Sequence, residues 1–201
     1  LARFLVPKAD CLRVVSQRIK ISLLQRFKLD NVWVLPVLAR PIEESALSVK
    51  KKYPGYDFYI LTVARLSKEK NIALALRALR DLVIKSGDRH SGSEFNPLLL
   101  IVGDGPERPA LELQTENLGL KNRVRFEGWQ ENISGYYLTA DCLLMTSNYE
   151  GYGLAAYEAL ECGLPVVMTD VGIAGEIVKN GENGLVVPVG DQSALVAALE
   201  K

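Results

Sequence analysis

The chain has 201 residues, 48% of them hydrophobic and 24% charged, which is an ordinary globular balance with enough length to bury a core and excludes a disordered chain. Its 24 basic and 24 acidic side chains cancel, so the chain as a whole carries no nucleic-acid or membrane-surface signature. The three cysteines, Cys11, Cys142 and Cys162, lack metal-ligand spacing and fit a reducing, cytoplasmic setting.

The charge is uneven along the chain. Residues 1–40 carry eight Lys/Arg and two Asp/Glu, and the remainder is acidic by the same margin. Such a basic end suits a solvated face or an anionic partner. Residues 12–15 read as a strand, 16–27 as an amphipathic helix, and 32–35 as a second strand ending at Pro36. Residues 1–40 are therefore expected to be the tail of a preceding domain. The charged stretch 41–56, with Pro41, Pro54 and Gly55, is expected to be a linker. The chain starts at Leu1 and is expected to be a piece of a longer protein.

From residue 57 onward, short apolar runs alternate with helical patterns. The runs are 58–63, 98–102, 124–126, 142–146, 166–169 and 184–187; the helical patterns are 71–85, 107–118, 131–140, 154–162 and 191–200. Several runs lack strict alternation, as strands covered on both faces do. This repeated β-α pattern predicts an α/β domain over 57–201: a Rossmann-like open parallel sheet with helices on both faces. The polar stretch 86–97, which holds the single histidine His90, reads as a surface insertion.

Ligands of such sheets bind beyond the carboxyl ends of the strands, so the loops there are the place to look for chemistry. The stretch from Glu150 to Glu158 follows a strand and opens a helix. Gly151 and Gly153 permit a tight turn, and the free N–H groups at the helix start favour a phosphate. Glu150 and Glu158 cannot bind phosphate but can accept hydrogen bonds from sugar hydroxyls. On spacing alone, the same pattern also fits a capped helix with two surface glutamates. Arg65 and Lys70, in the loop after the first strand, can converge on the same place and neutralise a diphosphate, or can simply be solvated. The turn Gly103-Asp104-Gly105-Pro106 is neither a phosphate loop with a following Lys-Ser/Thr nor a dinucleotide fingerprint, because Arg108 stands where the third glycine belongs. The strand 124–126, ending at Phe126 and followed by Gly128 and Trp129, is another edge whose backbone can face a nucleobase, and Trp129 fits a packing role equally well. The sequence offers neither an acyl-transfer triad nor a metal-ligand constellation.

Taken in order, these motifs resemble the C-terminal domain of the GT-B retaining glycosyltransferases of family 4, also called group 1. The resemblance rests on Ala64-Arg65-Leu66 with Lys70-Asn71, Val102-Gly103-Asp104-Gly105-Pro106, Val124-Arg125-Phe126-Glu127-Gly128, Glu150 to Glu158, Cys162-Gly163-Leu164-Pro165-Val166-Val167, and Asn180-Gly181 with Asn183-Gly184-Leu185. It implies a hexosyltransferase of glycan biosynthesis whose donor is a nucleoside-diphosphate sugar of the UDP or GDP type, with no separate cofactor or metal. Arg65, Lys70 and the backbone at Gly153 and Leu154 would hold the diphosphate. Glu150 would hold the sugar and Glu158 the ribose. Gly103 would border the donor, and the segment around Phe126 and Gly128 would border the base. The resemblance also implies a missing N-terminal GT-B domain that supplies the site for a glycan, lipid or small-molecule acceptor, no nucleic-acid partner, and a cytoplasmic enzyme able to sit at the inner face of a membrane. Here Ala64 replaces the family's usual glycine and Tyr152 its phenylalanine. The competing readings are a non-catalytic nucleotide-binding GT-B module and a GT-B nucleotide-sugar epimerase; a nicotinamide-dependent oxidoreductase lacks the required glycine.

Overall fold

A computed structural model of the chain describes residues 6–37, 52–87 and 95–201. Most of the expected linker (41–51) and the centre of the expected insertion, with His90, lie outside these residues. Two sheets are present among the described residues. Strands β1 (Leu12–Val14) and β2 (Val32–Val34) form a parallel pair connected by helix α1 (Gln17–Arg26). Ser16 starts that helix as its N-cap, its hydroxyl accepting from the Ile19 N–H. The sequence predicts an amphipathic helix here, but α1 buries none of its residues, and Ile21 and Leu24 are exposed.

The second sheet contains β3 (Phe58–Val63), β4 (Pro97–Val102), β5 (Val124–Gly128), β6 (Cys142–Met145), β7 (Val166–Thr169) and β8 (Gly184–Val187). All pairings are parallel, and the spatial order is β5-β4-β3-β6-β7-β8. The intervening helices are α2 (Ile72–Gly87), α3 (Arg108–Asn117), α4 (Ser134–Tyr137), α5 (Leu154–Glu161) and α6 (Gln192–Leu199). The sheet is thus the predicted Rossmann-like one. Strand β4 explains why alternation is absent from the sequence: all six of its residues are buried. Leu99 and Ile101 point into a core with Leu76, Leu79 and Leu195, from α2 and α6. Leu98 and Leu100 point into the opposite core with Tyr137, Ala156 and Ala159, from α4 and α5. The sheet is the partition between two apolar layers, and both are needed to cover it.

Two elements differ from expectation. The helix predicted over 131–140 is only Ser134–Tyr137. Asn132 caps the Ser134 N–H, and past Tyr137 the Ala140 N–H still bonds the Tyr136 carbonyl while Thr139 turns its hydroxyl back to the Gly135 carbonyl. Strand β5 runs on to Gly128, past the predicted end at 126, because its pairing with β4 continues through a register shift at Ile101/Val102. Among the described residues, no helix is long and apolar enough to cross a membrane.

Candidate functional site

The first strand of the sheet, β3, lies centrally, with β4 on one side and β6 on the other. The chain winds outward in one direction from β3 and in the other from β6. The loops leaving their carboxyl ends therefore part and leave a crevice. The walls of that crevice are residues 64–71 and 146–153.

The loops are bonded directly to each other. The Asn148 N–H donates to the Glu69 carbonyl at 2.7 Å. The Asn71 side-chain amide donates to Asn148 Oδ1 at 3.1 Å. The buried Thr146 hydroxyl lies within reach of the Lys70 and Asn71 carbonyls, at 3.2 and 3.0 Å. Asn71 takes a left-handed conformation to make this approach, which asparagine tolerates better than most residues. The result is a close contact across 80 residues of sequence: Lys70 Nζ lies 2.6 Å from Glu150 Oε1. The Ser147 hydroxyl donates to the same oxygen at 2.7 Å. Both charged side chains are largely withdrawn from water, at 23% and 11% exposure.

Beside this pair, α5 begins at Gly153, whose φ of 95° is open to glycine but strained for other residues. Gly153 offers no capping side chain, and the first intrahelical bonds run from Ala156 and Tyr157 back to its carbonyl. The N–H groups of Leu154 and Ala155 therefore point out of the helix start as free donors. An open hollow of 310 Å³ lies there, lined by Lys70, Glu150, Gly153, Leu154 and Ala155 among others. Its size lies at the lower end for small-molecule sites.

Other expected residues are placed as follows. Arg65 is exposed on the loop after β3 and makes no hydrogen bond or ion pair among the described residues; its charge helps hold the Glu69 carboxyl below its usual range, after the larger effect of the Ser67 hydroxyl. Gly103 directs its N–H to the Gly128 carbonyl at 2.7 Å, and a Cβ on it would lie 2.0 Å from the Ala64 carbonyl oxygen. Its visible work is to let the ends of β3, β4 and β5 approach one another. The Phe126 ring lies under the Arg108 guanidinium at 6.0 Å, and Trp129 is 74% exposed beyond Gly128. Glu158 is not in contact with Glu150; it accepts from the Tyr137 hydroxyl at 2.8 Å. The substituted Tyr152 packs its ring against Tyr157, and its buried hydroxyl has no hydrogen-bond partner among the described residues.

Sequence reasoning passed over Ser147, Tyr137 and a buried acid, Glu127. The Glu127 side chain is 2% exposed and bonds Lys52 at 2.5 Å, the Tyr136 hydroxyl at 2.6 Å and the Tyr53 hydroxyl. Burial pushes its carboxyl up, but Lys52 and the two phenols outweigh this and hold it below the ordinary carboxylate range. No linear signal reveals this group, because its members sit at 52, 53, 127 and 136. The site also leans on the first sheet. The Ser16 hydroxyl donates to the Gly151 carbonyl at 3.3 Å, the Gln17 N–H donates to Glu176, and Arg18 pairs with Asp170.

Residues 44–201 match the family described as glycosyl transferases group 1. The chain belongs to that family. It is 31% identical over 148 residues to the lipopolysaccharide core biosynthesis glycosyltransferase LpsD of Rhizobium meliloti (strain 1021), covering 74% of this chain and 40% of that protein. It is 30% identical over 149 residues to the N-acetyl-alpha-D-glucosaminyl L-malate synthase of Bacillus anthracis, covering 73% and 37%. Among solved structures, the pneumococcal O-GlcNAc transferase GtfA, in complex with UDP and GlcNAc, superposes with a TM-score of 0.75 at 25% identity, covering 96% of this chain and 38% of that one. This group 1 chain thus spans well under half the length of these relatives. The GT-B type of fold expected from its motifs is the fold observed.

Proposed function

We propose that this chain is the donor-binding part of a retaining glycosyltransferase that takes a hexose-type sugar from a UDP- or GDP-type nucleoside-diphosphate sugar. The observation that carries this reading is the Lys70–Glu150 contact beside the uncapped start of α5. One crevice then holds a cation and backbone donors, which suit a diphosphate, together with a carboxylate, which suits sugar hydroxyls. The UDP and GlcNAc bound in GtfA support the same ligand class. In transfer, the bond from sugar to diphosphate breaks, and negative charge develops on the departing phosphate. In this reading Lys70 and the α5 dipole, which border the crevice, stabilise that charge, joined by Arg65 from the exposed loop after β3. Glu150 orients the sugar rather than attacking it, since its Oε1 is already held by Lys70 and Ser147. Glu158 accepts from the ribose, and Gly103 and the stretch from Phe126 to Gly128 border the base. Residues 1–40 belong to an N-terminal domain that binds a glycan or lipid acceptor.

Calorimetric titration of the chain with UDP, GDP, ADP and NAD tests this. One nucleoside diphosphate is expected to saturate the chain, and Glu158→Ala to weaken it by about tenfold, the loss of one charge-assisted hydrogen bond. Saturable binding of NAD, or of no nucleoside diphosphate at all, would overturn the reading.

A further inference from the structure

Tyr137 poses a question that the donor reading leaves unanswered. It is 2% exposed, so its hydroxyl must find a partner inside the protein. The partner lies 21 residues away: Tyr137 donates to Glu158 Oε2 at 2.8 Å. Burial first, and then the Glu158 charge, push the phenol far above its ordinary range, so it remains a donor at any physiological pH. Glu158 is only partly buried, and its other oxygen makes no bond among the described residues.

A free glutamate side chain on a helix samples several rotamers, and each must be given up when a ligand is bound. A carboxylate already held on one oxygen by a buried phenol has given them up beforehand, and its second oxygen points one way. The neighbouring Tyr136 makes the parallel bond to Glu127 at 2.6 Å. The short helix α4 thus hands two adjacent phenols to two different acids, and only Glu158 keeps an oxygen free. Resting on the donor reading, we propose that Tyr137 is a positioning residue: it holds Glu158 so that the free oxygen accepts from a ribose hydroxyl, which makes the site selective for ribonucleotides over 2′,3′-dideoxyribonucleotides. A sugar ring without 2′ and 3′ hydroxyls has nothing to donate to that oxygen, and the fixed carboxylate is then left facing the ligand unpaired.

The test is a double-mutant cycle on the chain with UDP and GDP and their 2′,3′-dideoxy forms as probes, reading the ratio of dideoxy to ribo Kd. The unsubstituted chain is expected to prefer the ribonucleotide it binds by roughly tenfold. Tyr137→Phe keeps the buried ring and hence the fold, which thermal unfolding verifies. It is expected to lower that preference by about threefold or more while leaving the dideoxy Kd unchanged. The preference in Tyr137→Phe/Glu158→Ala is expected to equal that in Glu158→Ala. A merely structural tyrosine would instead weaken both probes equally and leave the ratio intact. A preference lost in Glu158→Ala but retained in Tyr137→Phe overturns the positioning role and leaves the donor reading standing. Failure of both ribonucleotides to bind the unsubstituted chain overturns the donor reading, and this inference with it.

Discussion

At the residue scale, the contact between Lys70 and Glu150 makes the site self-neutralising. A diphosphate competes with Glu150 for Lys70 and is also repelled by the carboxylate. A sugar hydroxyl, by contrast, prefers the carboxylate as acceptor, since charged acceptors bond about twice as strongly as neutral ones. The two halves of a donor therefore respond in opposite directions to one substitution. In Glu150→Gln, a nucleoside diphosphate alone is expected to bind about three- to tenfold more tightly, because Lys70 is released to it. The extra affinity contributed by an attached sugar is expected to fall in the same variant. Paired titrations with UDP and UDP-glucose, or GDP and GDP-mannose, measure both changes. Weaker binding of the diphosphate itself would show that Glu150 supports Lys70 rather than opposing it.

At the scale of elements, Glu127 ties β5 to α4 through Tyr136 and to residues 52 and 53 just before β3. Its folded carboxyl lies below its ordinary value of 4.5. The stabilisation it contributes is complete above that value and is lost as pH falls through the lower folded value. The surface carboxylates Glu69 and Asp104 are held low as well and titrate in the same window, so only a comparison isolates Glu127. Thermal unfolding across a pH series should show a smaller fall in Tm below about pH 4.5 for Glu127→Gln than for the unsubstituted chain. Equal falls would mean that the ion pair with Lys52 does not outlast the solvent around that lysine, which is 56% exposed.

At the scale of the whole molecule, one sheet divides two apolar layers, and neighbouring residues on a strand serve different layers. Leu99 belongs to the layer under α2 and α6, and Leu100 to the layer under α4 and α5; both are fully buried. Because the layers share strands β3, β4, β6 and β7, neither can come apart without exposing the other side of the sheet. Leu99→Ala and Leu100→Ala are each expected to lower stability by about 2–5 kcal/mol in one common transition. Denaturant unfolding followed by both circular dichroism and tryptophan fluorescence checks this, and two separated transitions in either variant would show that the layers unfold independently.

The strands, their parallel arrangement and the glycine turns were legible in the sequence because each depends on local chemistry. Apolar runs of strand length, such as 98–102, mark buried strands, and a glycine followed by a helical pattern marks the start of α5. The candidates Arg65, Lys70 and Glu150 were chosen for a related reason: they lie in loops after strands, where a parallel sheet must place its ligand, and Glu158 lies in the helix that follows. What these residues touch was not legible. The sequence holds no sign that Lys70 meets Glu150, that Tyr137 meets Glu158, or that Glu127 is buried among residues 52, 53 and 136. Those contacts arise where strand order brings distant loops together, and strand order is set by how the helices cover both faces of the sheet. The helix predicted over 131–140 starts only at Ser134, where the Asn132 side chain accepts from the Ser134 N–H. The sequence alone thus determined which chemistry the chain possesses. The tertiary structure decided which charges neutralise each other, because that depends on distances between segments the chain brings together only when folded.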